Sequence, residues 1–173
     1  MSKRLNLLEF QQNLIERLQG KDAPAAKVTT LGVQIAGSNW LVDMPDISVV
    51  LLLPRLTIVP FTKPWFRGMA NIHGNLYSVV DMAAYQQSVG ISQFGPAQAS
   101  GEAGNRVLLV AERFAFNVAL LVDRVLGLHD TQSWRKNESD SQQIEYIDEH
   151  GVPWRKLDVK GLLEQQEFLQ IGV

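Results

Sequence analysis

The sequence predicts a mainly β fold composed of two similar small barrels, and three observations support this. From residue 28 onward, short runs of Val, Ile, Leu and aromatic residues are broken about every eight to twelve residues by Gly, Pro, Asn or Asp, which is typical of all-β barrels and sandwiches. The 173-residue length and the 46% apolar content match one globular domain, or two small ones that share a core. A weak internal repeat then divides the chain into two comparable halves.

The repeat consists of two short patterns that each occur twice. The segment HGNLYSVVD at 73–81 is matched by HGVPWRKLD at 150–158, and LVD at 41–43 is matched by LVD at 121–123. In each copy of the longer pattern, the glycine fits a hairpin turn, a strand follows, and the final Asp can cap a short helix. The two halves are therefore expected to fold as pseudo-equivalent barrels.

The chain is predicted to begin with an amphipathic helix within residues 1–20. Its apolar side chains recur at helical spacing, and they are Leu7, Leu8, Leu14, Ile15 and Leu18. Residues 21–27 have the composition of a linker. Residues 28–173 then form the domain, interrupted by a long polar and glycine-rich loop at 88–105.

Within the domain the patterns predict ten strands and two short helices. The strands are placed at 28–36, 39–44, 49–53, 56–60, 69–73, 76–80, 106–112, 116–125, 143–148 and 152–157. The helices are placed at 82–87 and 159–167, each directly after the Asp that ends a copy of the repeat. We expect Asp81 and Asp158 to cap them.

Composition excludes several classes of function. The chain has no cysteine, so disulfides, thiol nucleophiles and cysteine-ligated metals are excluded, which fits a cytoplasmic protein. A formal charge of −2 disfavours nucleic-acid binding. The longest uncharged apolar run, 47–54, is eight residues against the roughly 20 of a membrane-spanning helix, so no membrane insertion is expected.

No catalytic pattern is present, and the sequence predicts neither an enzyme nor a cofactor or metal site. The motifs of hydrolases, nucleotide-binding loops and zinc proteases are missing, and no two of the three histidines are four residues apart. Four aspartates could pair for acid–base chemistry, but each ends an apolar strand, where a turn or capping role is favoured. They are Asp43, Asp81, Asp123 and Asp158.

Three segments look like contact surfaces. The uncharged run 47–53 is either buried on both faces between the barrels, which we favour, or an exposed docking strip. The segment 65–74 crowds Trp, Phe and Arg around a turn; these residue types are common in binding hot spots, although Pro64-Trp65-Phe66 fits a core plug equally well. The apolar face of the N-terminal helix fits packing on its own domain better than binding a partner.

The segment PWFRGMANIHGNLYSVVDM at 64–82 resembles the central motif of the CheW family of chemosensory adaptors. The likeness extends from about residue 28 to 163 and includes VALLVDRVLG at 118–127. The N-terminal helix, the VPW segment and the EFLQIGV ending are more similar to the PilI branch, which serves the chemosensory system of type IV pili and twitching motility. The resemblance implies a CheW-like fold of two interlocked, five-stranded SH3-like β-barrels with short helices.

The same resemblance implies a non-enzymatic scaffold in two-component signal transduction. Such an adaptor couples the cytoplasmic tips of methyl-accepting chemoreceptors to the regulatory domain of a CheA-like histidine kinase, in the cytoplasm at membrane-associated receptor arrays. Matching without gaps places the receptor-side contacts at Ile47, Val49, Arg67, Gly68, Asn71, His73 and Gly74. Kinase contacts cannot be matched residue by residue.

One receptor-side position departs from the family pattern. His73 stands where the family commonly has Arg, so a titratable ring replaces a permanent cation with a bidentate fork. The run 47–54 also lacks the charge that the family often places there. We therefore expect a more apolar receptor groove and a distinct receptor partner.

Two other functional classes stay open at this point. SH3-like and OB-like barrels also serve as standalone modules that bind a peptide, an oligonucleotide or a small ligand, and the net charge argues against the oligonucleotide. An enzyme of unrecognised type is the weakest alternative, because no nucleophile, acid–base pair or cofactor loop is found.

Overall fold

The structure, a computed structural model, describes residues 29–90, 104–137 and 144–173. The predicted N-terminal helix at 1–20, the linker at 21–27 and most of the 88–105 loop lie outside the described residues. The described part contains eleven strands and three α-helices, and the mainly β class predicted from the sequence is confirmed.

The strands and helices follow one another in two comparable series. The first half contains β1 (Thr29–Ile35), β2 (Ser38–Asp43), β3 (Ile47–Leu52), β4 (Phe66–Ile72), β5 (Asn75–Asp81) and α1 (Met82–Ser88). The second half contains β6 (Arg106–Val110), β7 (Val118–Val122), β8 (Arg124–Asp130), β9 (Arg135–Asn137), β10 (Glu145–Ile147), β11 (Pro153–Lys156), α2 (Val159–Glu164) and α3 (Gln166–Leu169).

The strands form two interlocked sheets, each containing strands from both halves of the chain. The five-stranded sheet has the order β3-β6-β7-β5-β4, and the six-stranded sheet has the order β8-β1-β2-β11-β10-β9. In both, a hairpin from one half joins a strand of the other half in parallel, β5 to β7 and β11 to β2. The interlocking implied by the family resemblance is therefore present, and β9 is a sixth strand beyond the expected five.

The repeated sequence patterns occupy equivalent places in this topology. The LVD patterns come at the ends of β2 and β7, the central strands that receive the parallel hairpins. The Asp81 side chain accepts a hydrogen bond from the Ala84 amide at the start of α1, and the Asp158 side chain accepts one from the Gly161 amide in α2. Both predicted helix caps are confirmed.

Two hydrophobic clusters hold the sheets together. The larger lies where the sheets and helices meet, and its fully buried members include Val33, Ile35, Val42, Leu108, Leu120 and Val159. The smaller cluster packs on the other face of the five-stranded sheet and contains Ala70, Ile72, Tyr77, Val79, Val107, Leu109, Ala119 and Leu121. Alternate residues of β6 and β7 enter different clusters, so both faces of these strands are buried.

Three predicted elements differ in the structure. The run at 116–125 is two strands, because the chain passes from one sheet to the other at Asp123, whose amide donates to the Gln34 carbonyl at 2.9 Å. Residues 56–60 form no strand, and only Thr57 pairs there, with Met69. The helix predicted at 159–167 is interrupted at Gln165, where ψ is 129°, so α2 and α3 are separate.

Candidate functional site

The uncharged run 47–53 is largely an exposed edge rather than a strand buried between the barrels. β3 is the outermost strand of the five-stranded sheet. Ile47 is buried, but Val49, Val50 and Leu52 are 38%, 37% and 64% exposed. Leu51 and Leu53 instead pack against the smaller cluster. The favoured interpretation of burial on both faces is thus wrong, because three apolar side chains of this edge strand remain exposed.

β4 is the opposite outer strand, and Gly68 lies at a β-bulge within it. Gly68 has φ of +135°, and a Cβ built there would lie 2.4 Å from the Thr57 carbonyl oxygen. Thr57 and Met69 exchange backbone hydrogen bonds at this point, which ties the segment after β3 to β4. A side chain at Gly68, as in Gly68→Arg, is therefore not compatible with an intact fold, because it would meet the backbone of Thr57.

The turn between β4 and β5 carries three of the matched receptor-side residues. His73 and Gly74 both have positive φ, 52° and 86°, as a two-residue turn between Ile72 and Asn75 requires. The Asn71 side-chain oxygen accepts a hydrogen bond from the Gly74 amide at 3.0 Å. All three residues are exposed. Asn71 therefore braces the turn that presents His73 to solvent.

Arg67 is the permanent cation among the matched residues, and it is paired with a carboxylate. Its Nη1 lies 3.7 Å from Asp81 Oδ2, and the Arg67 side chain remains 44% exposed. Asp81 in turn is one of the groups that raise the pKa of Asp123, although burial of Asp123 is the larger cause. A cation and two carboxylates therefore lie near the start of α1.

The aromatic residues before Arg67 belong to the core. Trp65 is 2% exposed, and its ring stacks on Phe168 at 5.9 Å and meets Tyr85 edge to face at 5.2 Å. The core-plug interpretation is therefore confirmed for Trp65 and Phe66, whereas Pro64 is exposed. It also explains the C-terminal EFLQIGV segment, since Phe168 buries its ring there.

The seven matched residues fall on the two outer strands of one sheet and the turn beside them. Ile47 and Val49 lie on β3, whereas the other five lie on β4 and its turn. Matching by motif missed Leu52, the most exposed large side chain of β3, and Asp81, the partner of Arg67. Neither residue had a signal in the sequence, because the run 47–53 is apolar almost throughout and the Arg67–Asp81 contact joins side chains fourteen positions apart.

Within 29–90, 104–137 and 144–173, no group of three or more His, Cys, Asp or Glu side chains could hold a metal ion. No helix in these ranges is long and apolar enough to cross a membrane. One cavity of about 690 Å³ lies between the start of α1 and α2, and Trp40, Asp43, Tyr85 and Lys156 are among the residues that line it.

Comparison with known proteins agrees with this arrangement. The family model of the CheW-like domain matches residues 29–167, which is most of the chain. The chain belongs to the CheW family. It is 27% identical over 152 residues to Protein PilI of Pseudomonas aeruginosa, covering 83% of this chain and 79% of that protein.

A solved structure supports the fold independently of sequence identity. The crystal structure of the scaffolding protein TtCheW from Thermoanaerobacter tengcongensis superposes with a TM-score of 0.60 at 16% identity, covering 82% of this chain and 95% of that one. The CheW-like fold implied by the sequence resemblance is confirmed.

Proposed function

We propose that this CheW-family protein couples the cytoplasmic tips of chemoreceptors to the regulatory domain of a CheA-like histidine kinase in a pilus-linked, twitching-motility system. Its likeness to Protein PilI supports the pilus-linked assignment. The protein acts in the cytoplasm and is recruited to receptor arrays at the membrane. It has no catalytic role, and its output is the proximity of two partners.

The exposed apolar edge on β3 is the observation that carries the receptor-side proposal. Val49, Val50 and Leu52 form an uncharged, partly exposed strip, which suits the apolar tip of a receptor hairpin. Arg67 and the His73-Gly74 turn on the opposite outer strand supply the polar contacts. Each partner interface is of modest size, about 1,000 Å², and the array supplies avidity.

Leu52→Glu tests the receptor side, with Leu128→Glu as a matched control. Leu52 on β3 and Leu128 on β8 are 64% and 61% exposed, and both strands are outermost in their sheets. A charge at Leu52 should weaken binding to the receptor tip by about ten-fold or more, because it would be desolvated in the contact. Leu128→Glu should leave receptor binding unchanged, as measured by titration calorimetry of the full chain.

Pull-downs with the receptor tip and the kinase regulatory domain, each alone and then together, test the adaptor role itself. Simultaneous binding of both partners is the expected result. Binding of neither partner at micromolar concentration would refute the coupling function. Equal losses with Leu52→Glu and Leu128→Glu would mean that the apolar strip on β3 is not the receptor surface.

His73→Arg tests why this chain departs from its family. The substitution adds a permanent guanidinium on an exposed turn, and it should shift preference toward receptors that present a carboxylate there. Affinities are compared across all receptor tips encoded in the same genome. Unchanged affinity for every tip would show that His73 does not govern receptor choice.

A small-ligand module is the second candidate, favoured by the cavity beside Trp40. Its volume of about 690 Å³ falls within the range of small-molecule sites, about 300–1,000 Å³. Trp40 Nε1 and Asp43 Oδ1 are buried and have no hydrogen-bond partner within the described residues. In a fragment screen by NMR, chemical-shift changes confined to the residues of this cavity would support a small-ligand function. If no fragment binds there, the small-ligand candidate is rejected and the adaptor role remains.

A further inference from the structure

Asp81 uses its two carboxylate oxygens for two different tasks. Oδ1 accepts the hydrogen bond from the Ala84 amide at 3.2 Å, which caps α1. Oδ2 is the oxygen that lies 3.7 Å from Arg67 Nη1. The Asp81 amide also donates to the Trp65 carbonyl at 2.8 Å, so the backbone of β5 is tied directly to the residue that precedes β4. The carboxylate is therefore held at a defined place beside Arg67.

The contact with Asp81 leaves most of the Arg67 guanidinium free. At 3.7 Å the pair is an electrostatic contact and not a full hydrogen bond, and it involves one of the terminal nitrogens. A guanidinium has five N–H donors in a rigid fork. With its side chain 44% exposed, Arg67 can still offer that fork to a carboxylate outside the protein.

The second copy of the repeat lacks this arrangement. Asp158 occupies the place equivalent to Asp81 and caps α2 through the Gly161 amide at 3.1 Å. Its side chain makes no ion pair within the described ranges. The cap is thus shared by both halves, whereas the pairing with an exposed arginine belongs only to the half that carries the proposed receptor contacts.

We propose that Asp81 is a positioning residue for receptor binding, which orients the Arg67 guanidinium toward a carboxylate of the receptor tip. The inference rests on the proposed adaptor function. A long arginine side chain loses rotamer freedom when it is fixed by a partner, and a nearby carboxylate removes part of that freedom before binding. Asp81 therefore contributes to affinity without touching the receptor.

A neighbouring carboxylate gives this proposal an independent readout. The negative charge of Asp81 contributes to the raised pKa of Asp123, after the larger effect of burial, while hydrogen bonds from the Ala36 and Gly37 amides act in the opposite direction. Removing the charge at position 81 should therefore lower the pKa of Asp123. A carboxyl-resolved NMR titration of the full chain measures this directly.

Asp81→Asn separates the two tasks of the side chain. The asparagine keeps a side-chain oxygen for the helix cap, at which Asn and Asp are about equally effective, and it removes the charge facing Arg67. The matched control is Asp158→Asn, which makes the same change at the equivalent cap. Arg67→Ala and the double variant with Asp81→Asn complete a cycle, with binding to the purified receptor tip measured by titration calorimetry.

Asp81→Asn should weaken receptor binding about two- to five-fold at low salt, the range of an exposed ion pair, with unchanged thermal stability. Asp158→Asn should leave binding unchanged. In the Arg67→Ala background, Asp81→Asn should have no further effect, because the group it positions is gone. The lowered pKa of Asp123 should accompany the loss of affinity in Asp81→Asn.

The other outcomes overturn the inference in distinguishable ways. Tighter binding of Asp81→Asn would mean that Asp81 competes with the receptor for Arg67. Equal losses from Asp81→Asn in both backgrounds, or an equal loss from Asp158→Asn, would assign the effect to the helix cap. If the wild-type chain itself fails to bind the receptor tip, the proposed adaptor function fails, and the role of Asp81 falls with it.

Discussion

The two hairpins that carry the repeated His-Gly pattern look alike in sequence but are braced differently. In the first, a two-residue turn is held by one neutral hydrogen bond from the Gly74 amide to the Asn71 side chain. In the second, Asp148 accepts from the His150 and Val152 amides at 2.8 and 2.9 Å and from the Trp154 indole at 3.0 Å. The same dipeptide therefore serves one hairpin with a neutral brace and one with a charged brace.

The side chains packed on the two sheets also differ: they are mainly aliphatic on one sheet and aromatic on the other. The smaller cluster on the five-stranded sheet is aliphatic apart from Tyr77. On the six-stranded sheet, the rings of His129, Trp134 and Trp154 contact one another at centroid distances of 4.9–5.5 Å. Gly32 leaves the room they need, because a Cβ there would lie 2.8 Å from the His129 ring. The repeat thus preserves strand order but not side-chain chemistry.

The largest loss of stability is expected from a substitution at Gly68, in the first half of the chain. Gly68→Ala should destabilise the fold by about 3 kcal/mol, since it combines a strained φ with a clash against backbone. Gly74→Ala is the control, because φ is also positive there but nothing lies within 4 Å of the added Cβ; about 1–2 kcal/mol is expected. Urea denaturation of both variants measures the difference between their losses in the free energy of unfolding. Equal losses would show that the close approach of Thr57 costs nothing.

Gly32→Ala tests the aromatic packing of the six-stranded sheet. The added methyl group would meet the rings of His129 and Trp154, and overpacking of this kind costs about 1–3 kcal/mol. Since side chains rather than backbone are in the way, the rings can move, and the loss should be smaller than at Gly68. In a chain that already carries His129→Ala, Gly32→Ala should destabilise the fold by less than it does in the wild-type chain. Strict additivity in the denaturation free energies would contradict the predicted contact.

Asn71→Ala should cost about 1 kcal/mol, the usual contribution of one hydrogen bond. The variant removes the brace of the first hairpin without altering the backbone of the turn. Because the brace is neutral, the loss should be the same at pH 7 and at pH 4. Thermal unfolding at the two pH values checks this, and a loss that depends on pH would show that another group titrates with the hairpin.

The charged brace of the second hairpin should make it sensitive to acid. Hydrogen bonds, first that from the Trp154 indole and then those from backbone amides, lower the pKa of Asp148. Its stabilisation is therefore present above the unfolded-state value of about 3.9 and is lost as pH falls through the lower folded-state pKa. The stability difference between wild type and Asp148→Asn should shrink over that interval. A constant difference in chemical denaturation between pH 6 and pH 2 would refute the assignment.

Much of the fold could be predicted because it depends on local patterns. Capping by Asp81 and Asp158, the turn at Gly74 and the alternating strands each follow from residues close together in sequence. The burial of 47–53 could not be predicted, because an uncharged run looks the same on an edge strand and on a central strand. The position of β3 depends on its pairing with β6, more than fifty residues later.

Some features of the candidate site were likewise predicted from the sequence, and others were not. The turn residues Asn71, His73 and Gly74 were identified from their motif, but the close approach behind Gly68 and the ion pair of Arg67 with Asp81 were not. Both contacts join different segments of the chain, Gly68 to Thr57 and β4 to the end of β5. Side-chain contacts of this kind leave no periodic signal in a single sequence.

The sequence by itself determined the mainly β class, the two-fold repeat, the capped helices and the family resemblance, because these depend on the spacing of residue types along the chain. Only the tertiary structure decided which sheet each strand joins, which apolar strand faces solvent and which carboxylate accompanies Arg67. These features arise when distant segments pair. Hydrogen bonding and burial then select among arrangements that the local patterns leave equally possible.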